Sequence, residues 1–183
     1  MSDEIIIRQC APTLAGIKTG SLFPCPYENK QTMVNDIRCF NRRYVDKGLC
    51  MLPMRYREGR VLLLLFRPEK LAKDLSKPIA ASILSECGYS CKSYNQCLAM
   101  LARRFSACDK FPHEIGLFIG YPPEDVRGFI THKAQNYKCC GLWKVYGDEA
   151  KAKALFRQFN ACKDSYCSLW ESGKKLDQLA VTV

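Results

Sequence analysis

The sequence predicts a single α+β domain over residues 1–183, in which a small, mostly antiparallel or mixed sheet is surrounded by about six helices. Its length suits one domain with a substantial core and is too short for two large ones. With 48% hydrophobic and 25% charged residues, the composition is that of a globular protein. Short apolar runs are followed by helically spaced segments, and no repeat, linker or change of composition divides them.

The first predicted strand is EIIIRQ at residues 4–9, because the run is apolar and β-branched. It would deliver Cys10 into CAPTLAGIK, whose proline, glycine and small residues favour a tight turn or a helix start. The proline-rich FPCPYENK at 23–30 is interpreted as a connector.

A hairpin is predicted next, with LCMLPMRY and RVLLLLF joined at Arg57-Glu58-Gly59. The second arm is apolar on both faces, which is typical of an interior strand, and Pro53 favours an edge or a bulge in the first arm. Further strands are predicted for 142–146 and for the final LAVTV.

Apolar residues at intervals of three and four predict the helices. Proline, acidic residues and glycine at the ends of these segments mark where helices begin and stop. The predicted helices cover residues 30–47, a short segment from Arg67, the segments around 79–87, 94–105, 114–119 and 122–132, and a long helix capped by Asp148.

The sequence contains twelve cysteines. It has no CxxC motif, and its closest spacings, such as Cys87-x3-Cys91, match no zinc or iron–sulfur pattern. Without an export signal, a disulfide framework is also disfavoured. We therefore expect mostly reduced thiols used as small core hydrophobes and assign no metal ligands. A metal site built from Cys139, Cys140, His113 and a distant cysteine stays open as an alternative. The residues indicate no particular cofactor.

The chain has a formal net charge of +10, from 28 basic and 18 acidic residues. Such a surface attracts nucleic acid, anionic metabolites or acidic proteins alike. The helix at 30–47 carries Arg38, Arg42 and Arg43, but it lacks the interleaved aromatic residues of single-strand binders. Nucleic-acid binding therefore stays open without a motif to support it.

No segment reaches the roughly 18 apolar residues of a membrane span, and MSDEIIIRQ lacks a signal-peptide pattern. We expect a cytoplasmic protein with no membrane partner. The sequence does not indicate its oligomeric state.

The sharpest chemical hypothesis is a thiol nucleophile. Cys10, His113 and Asn136 occur in the order used by papain-like enzymes, with Glu114 as another group that could orient the histidine. Cys10 at a helix start would have a stabilised thiolate. The alternatives are a buried structural cysteine and a hydrogen-bonded, chemically silent histidine.

A second hypothesis is binding without covalent chemistry. Lys18, Arg67, Lys138 and Lys144 occur in turn-rich segments and could converge on a phosphate or carboxylate. Tyr121 would contribute to an aromatic wall beside them.

Three segments resemble one known family: CAPTLAGIK at 10–18, FPHEIGLFIGYPPEDVRGFI at 111–130 and NYKCCGLWKVYGDE at 136–149. They are similar to the domain of unknown function family 3793, which comprises small bacterial proteins typical of anaerobes. The resemblance extends over nearly the full chain. It implies a stand-alone intracellular domain and no established activity, substrate or cofactor.

The working hypothesis is a thiol-dependent hydrolase or transferase that acts on a small anionic substrate. Its site would be formed by the CAPTLAGIK turn and residues 111–149. The alternative is a non-catalytic protein that binds an anionic metabolite or nucleic acid.

Overall fold

A computed structural model, which describes residues 1–90, 93–107 and 111–183, shows an antiparallel three-stranded sheet between two layers of helices. The strands are β1 (Gly20–Pro26), β2 (Cys50–Arg57) and β3 (Arg60–Phe66), in the order β1-β3-β2. The α+β prediction is confirmed.

Helices make up most of the described chain. They are α1 (Asp3–Leu14), α2 (Lys30–Tyr44), α3 (Pro68–Leu75), α4 (Pro78–Glu86), α5 (Tyr94–Ala107), α6 (Ile115–Phe118), α7 (Pro123–Thr131), α8 (Glu149–Glu171) and α9 (Leu176–Leu179). The side chains of Asn29 and Asp148 cap α2 and α8, accepting hydrogen bonds from the amides of Thr32 and Lys151. The predicted cap at Asp148 is therefore confirmed.

The central strand β3 divides the core. Val61, Leu63 and Leu65 face a cluster formed with α1, α2 and α9, whereas Leu64 and Phe66 face a cluster formed with α3 to α7. Alternate side chains of a strand point to opposite faces, so a strand covered on both sides is apolar throughout. The prediction of an interior strand from RVLLLLF is confirmed.

The hairpin is also confirmed. Its turn falls at Glu58 and Gly59, both with positive φ, and the pairing of β2 with β3 shifts between Pro53 and Arg55. This irregularity agrees with the bulge predicted from Pro53, because proline has no amide hydrogen to donate to a ladder.

The connector predicted at 23–30 is wrong over its first half, because residues through Pro26 belong to β1. The strand tolerates its prolines since it lies at the sheet edge. Pro24 and Pro26 are exposed, while Phe23 and Cys25, each directly before a proline, are buried. Buried and exposed residues do alternate along this strand, but the prolines concealed that alternation in the sequence.

The strand predicted at 4–9 is also wrong, because these residues lie in α1. The buried residues Ile6, Ile7, Cys10, Ala11 and Leu14 follow the three-and-four spacing of a helix. That spacing continues past the β-branched run and outweighs its local strand preference. Pro12 lies inside this helix rather than in a turn.

A separate small cluster joins residues 139–145 to the long helix α8. The strands β4 (Cys139–Cys140) and β5 (Lys144–Val145) form a two-stranded sheet. Trp143 and Val145 pack on Ala152 and Phe159 of α8. The strand predicted at 142–146 is thus present but shorter than expected.

The last strand predicted, LAVTV, is wrong. Leu179 ends α9, and residues 180–183 form no regular element. The main chain of this tail is instead held by individual hydrogen bonds. The Val181 amide donates to the Leu14 carbonyl, and the Arg67 guanidinium donates to the Val181 carbonyl.

In the described ranges, we find no helix with both the length and the apolar character needed to cross a bilayer.

Candidate functional site

The most distinctive depression of the surface is a cavity of about 430 Å³. This volume lies within the roughly 300–1,000 Å³ typical of ligand pockets. All its lining residues except Leu22 of β1 come from 111–144. They are Phe111, His113, Ile115, Gly116, Ile119, Tyr121, Asp125, Val126, Phe129, Cys140, Gly141, Leu142, Trp143 and Lys144.

Volume alone does not select this cavity. Three other depressions measure about 410–430 Å³. One is bordered by Asp74, Lys77, Glu124 and Lys151, charged groups that water solvates well. The cavity at 111–144 differs in its aromatic side chains, Phe111, Tyr121, Phe129 and Trp143, which are common in small-molecule sites. We call it the aromatic cavity.

Two sets of rings form its walls. Tyr121 stacks on Trp143, with ring centroids 4.6 Å apart and an interplanar angle of 30°. His113 lies 4.9 Å from Phe129 and 6.1 Å from Phe111. Phe111 and Leu142 remain 44% exposed at the rim, so apolar surface is left in contact with water.

The Trp143 wall is fixed by Asp125, a residue of α7 that is only 3% exposed. Its Oδ2 accepts a hydrogen bond from Trp143 Nε1 at 2.7 Å. Its Oδ1 accepts bonds from the amides of Tyr146 and Gly147, each at 2.7 Å. One carboxylate therefore joins α7 to the β5 segment and holds the indole in place.

His113, Tyr121 and Lys144 are the predicted site residues that line this cavity. His113 is exposed in the turn that precedes α6. The Lys144 ammonium donates to the carbonyl of Ala134 at 2.9 Å and lies 4.7 Å from the Tyr137 ring centroid. Its charge is therefore already engaged by the 131–138 loop.

Cys10 lies in the second half of α1, with no exposed surface. Burial raises the pKa of its thiol far above the ordinary value, and Lys18 and a hydrogen bond to Ser21 offset only part of this effect. The predicted helix-start position, which would favour a thiolate, is wrong: Cys10 is a core residue of α1.

Lys18 is half-buried beside the rings of Tyr121 and Phe159, with its Nζ 5.2 and 5.9 Å from their centroids. Burial lowers the pKa of Lys18 to about 8, and Cys10 opposes that shift. The ammonium does not line the aromatic cavity.

Arg67, predicted to bind a ligand, donates hydrogen bonds to the backbone of the core. It is 2% exposed, and its guanidinium donates to four backbone carbonyls. The acceptors are Thr13 at 2.7 Å, Leu14 at 2.7 Å, Lys47 at 2.9 Å and Val181 at 2.8 Å. These bonds satisfy the end of α1 and hold three chain segments together, leaving little of the guanidinium for a ligand.

Glu114 is 2% exposed. It accepts a hydrogen bond from Tyr89 Oη at 3.0 Å and lies 2.6 Å from Arg104 Nε. It does not line the aromatic cavity, although His113 precedes it in the chain. Its contacts account for it as part of the core rather than as a partner of the histidine.

Asn136 and Lys138 have local structural roles. Asn136 is exposed and adopts a φ of +57°, a left-handed conformation that asparagine tolerates better than most residues. The Lys138 ammonium donates to the Gly147 carbonyl at 2.6 Å. The asparagine in this loop is thus explained by its backbone conformation.

Sequence reasoning missed Asp125 and Phe129 as cavity residues. Both lie in the segment 122–132, which the sequence predicts to be a helix, and an acidic residue is ordinary at a helix start. No local pattern distinguishes them, because Asp125 acts on amides about twenty residues further along the chain.

Within the described part of the chain, no group of three or more His, Cys, Asp and Glu side chains is arranged to hold a metal ion. Cys91, considered above for its spacing from Cys87, lies outside the described residues. The described cysteines form no disulfide, and only Cys10, Cys25 and Cys97 among them are buried.

These features define a small α+β domain in which the aromatic cavity lies beside the two-stranded β4–β5 sheet. The chain belongs to the family described as "Protein of unknown function (DUF3793)", whose model matches residues 6–180. Neither the curated proteins nor the solved structures gave a match.

Proposed function

We propose that this protein binds a small, flat, largely apolar molecule in the aromatic cavity, without covalent catalysis. The observation that carries the proposal is the composition of the cavity wall. Stacked and tilted rings surround about 430 Å³, and the apolar rim residues Phe111 and Leu142 remain exposed. Aromatic walls favour flat ligands, because rings stack on one another.

This proposal keeps the non-catalytic alternative and changes its ligand. Of the four cations expected to converge on an anion, Arg67, Lys138 and Lys144 donate to backbone carbonyls. Lys18 lies beside two rings and away from the cavity lining. With their donors engaged by the protein, these side chains give little support to an anionic metabolite.

The thiol-dependent enzyme has weaker support. Its nucleophile, Cys10, is enclosed in the core, and its thiol pKa is raised. Thiol catalysis needs an accessible thiolate beside a base. Cys140 is exposed at the cavity, but no described contact joins its sulfur to His113.

Nucleic-acid binding also gains no specific support. On α2, Arg43 forms an ion pair with Asp177, and Arg42 contacts Cys39. Such contacts are typical of a solvated basic face.

A single-tryptophan protein tests the proposal. The chain has two tryptophans, so Trp170→Phe leaves only Trp143, in the cavity wall. We expect acridine, a flat neutral ring system, to quench Trp143 fluorescence in a saturable manner. The matched variant Trp143→Phe keeps only Trp170, which packs on the opposite core cluster, and should show a much weaker saturable change.

A blocking variant locates the binding. Cys140→Phe adds a ring at the cavity rim, where the original side chain is exposed, so we expect folding to persist and acridine affinity to fall at least about tenfold. Cys39→Phe, at an exposed site on α2, is the control and should bind as before. Equal affinity in both variants, or no saturable quenching at all, contradicts a ligand in this cavity.

A further inference from the structure

The polar character of the aromatic cavity is set by Asp125. This carboxylate lines the cavity and is almost fully buried. Among the described residues, no lysine, arginine or histidine forms an ion pair with it. Lys144, which also lines the cavity, directs its ammonium to the Ala134 carbonyl. A ligand in this space therefore meets a buried acceptor rather than a free cation.

The carboxylate has unused capacity. An ionised carboxylate offers about four acceptor positions. Oδ1 receives two hydrogen bonds, from the amides of Tyr146 and Gly147. Oδ2 receives one, from Trp143 Nε1. One acceptor position on Oδ2 is left, and a buried charge gains from every donor that completes its hydrogen bonding.

We propose that the ligand is a flat nitrogen heteroaromatic whose ring N–H donates to Asp125 Oδ2. This inference rests on the proposed function and adds the chemical class of the ligand. The ring would lie among the side chains of Phe111, His113 and Phe129, with its N–H directed to the carboxylate that also receives the Trp143 indole.

The net charge of the whole chain affects a cationic and a neutral ring N–H donor differently. A net charge of +10 repels cations at long range, whereas a neutral N–H donor is unaffected. We therefore expect a neutral ring N–H to be sufficient. An anionic ring would be disfavoured at short range by the buried carboxylate.

The test is a set of ligands that differ in one group. Benzimidazole carries a ring N–H, 1-methylbenzimidazole replaces that hydrogen with a methyl group, and 2-naphthoate supplies a flat anion. Their affinities are measured by calorimetry with the wild-type chain near pH 7.5. We expect benzimidazole to bind at least about tenfold more tightly than either of the others, because sites built for a hydrogen bond reject analogues that cannot form it.

A second readout ties the preference to Asp125. In Trp170→Phe, the single indole N–H resonance belongs to Trp143, which shares Oδ2 with the proposed ligand donor. We expect benzimidazole to shift this resonance and 1-methylbenzimidazole to shift it much less. In Cys39→Phe, an exposed position on α2 away from the cavity, the preference for the N–H ligand should persist.

The outcomes are distinct. Equal affinities for the benzimidazole pair, tighter binding of naphthoate, or an equal shift of the Trp143 indole resonance by both benzimidazoles overturns the assignment to Asp125. Acridine binding without any benzimidazole binding also overturns it and leaves the proposed function standing. If acridine fails as well, the proposed function fails and this inference with it.

Discussion

Two segments that the sequence assigns to one site differ sharply in the folded chain. Residues 10–18 end α1 in the core, where Arg67 binds the carbonyls of Thr13 and Leu14. Residues 111–144 surround the aromatic cavity, with His113 and Phe111 in contact with water.

The difference shows what buried polar residues can mean. Arg67 and Asp125 are both almost fully buried and bonded to backbone groups. Arg67 has four carbonyl acceptors that join α1, the end of the turn after α2 and the C-terminal tail. Asp125 fixes one wall of a cavity and retains an acceptor position. The burial of Arg67 thus goes with a structural role alone. The burial of Asp125 goes with a structural role that leaves one acceptor position for a ligand.

The largest expected contrast is in thiol accessibility. We expect iodoacetamide to label the exposed Cys39 and Cys140 rapidly. Cys10 should react more slowly by a factor on the order of 10³ or more, because its thiol is accessible only when the core opens. Quantitative mass spectrometry of the labelled peptides measures the rates. Unfolding in denaturant should remove the difference. Rapid labelling of native Cys10 would restore the thiol hypothesis.

The next largest effect is the loss of stability when the buried Arg67 is replaced. Arg67→Met leaves four carbonyls of the core region without their donor, and we expect it to lower the free energy of unfolding by about 3–5 kcal/mol. Urea unfolding measures the change. The control is Arg38→Met on the exposed face of α2, which should alter stability by no more than about 0.5 kcal/mol. Similar losses in both variants would contradict the structural role of Arg67.

A smaller loss is expected in the cavity wall. Trp143→Phe removes the hydrogen bond to Asp125 Oδ2 and should lower the free energy of unfolding by about 2 kcal/mol, as for bonds to charged groups. Trp170→Phe is the matched control, since Trp170 is half-buried, and should cost about 1 kcal/mol or less. If the order of the two variants is reversed, Asp125 does not organise this wall.

The smallest effect concerns Lys18, which lies between the two regions. Its folded pKa is lowered to about 8, so below pH 8 the folded state carries a desolvation penalty, which lessens as pH rises from 8 toward the unfolded pKa of about 10.4. Because cation–π contact offsets part of the penalty, we expect Lys18→Met to raise stability by only about 1 kcal/mol at pH 7.

The difference between Lys18→Met and the wild type should shrink toward zero above pH 10, as measured by urea unfolding at several pH values. A difference that stays constant from pH 7 to pH 10 would show that the Lys18 amine does not titrate in this range.

Much of the fold follows from local patterns. RVLLLLF indicates an interior strand, and the segment after Asp148 indicates a long capped helix. The failures occur where local preference and packing disagree. β-Branched residues concealed the helical spacing of α1, and prolines concealed the alternation of the edge strand β1.

The site was less predictable for a physical reason. The sequence indicates unusual residue types at 111–149, and the cavity is there. It does not distinguish a cation that binds backbone, such as Arg67 or Lys138, from one free for a ligand. The bonds from Asp125 to Trp143 and to the amides after β5 depend on how α7 packs, which spacing along the chain does not specify.

Amide chemical-shift mapping with acridine compares the aromatic cavity and the end of α1 in one experiment. We expect the largest shifts at Gly116 and Gly141 in the cavity lining, with little change at Thr13 and Gly16 near the end of α1. The largest shifts at Thr13 and Gly16, with none at Gly116 and Gly141, would contradict a binding site at 111–144.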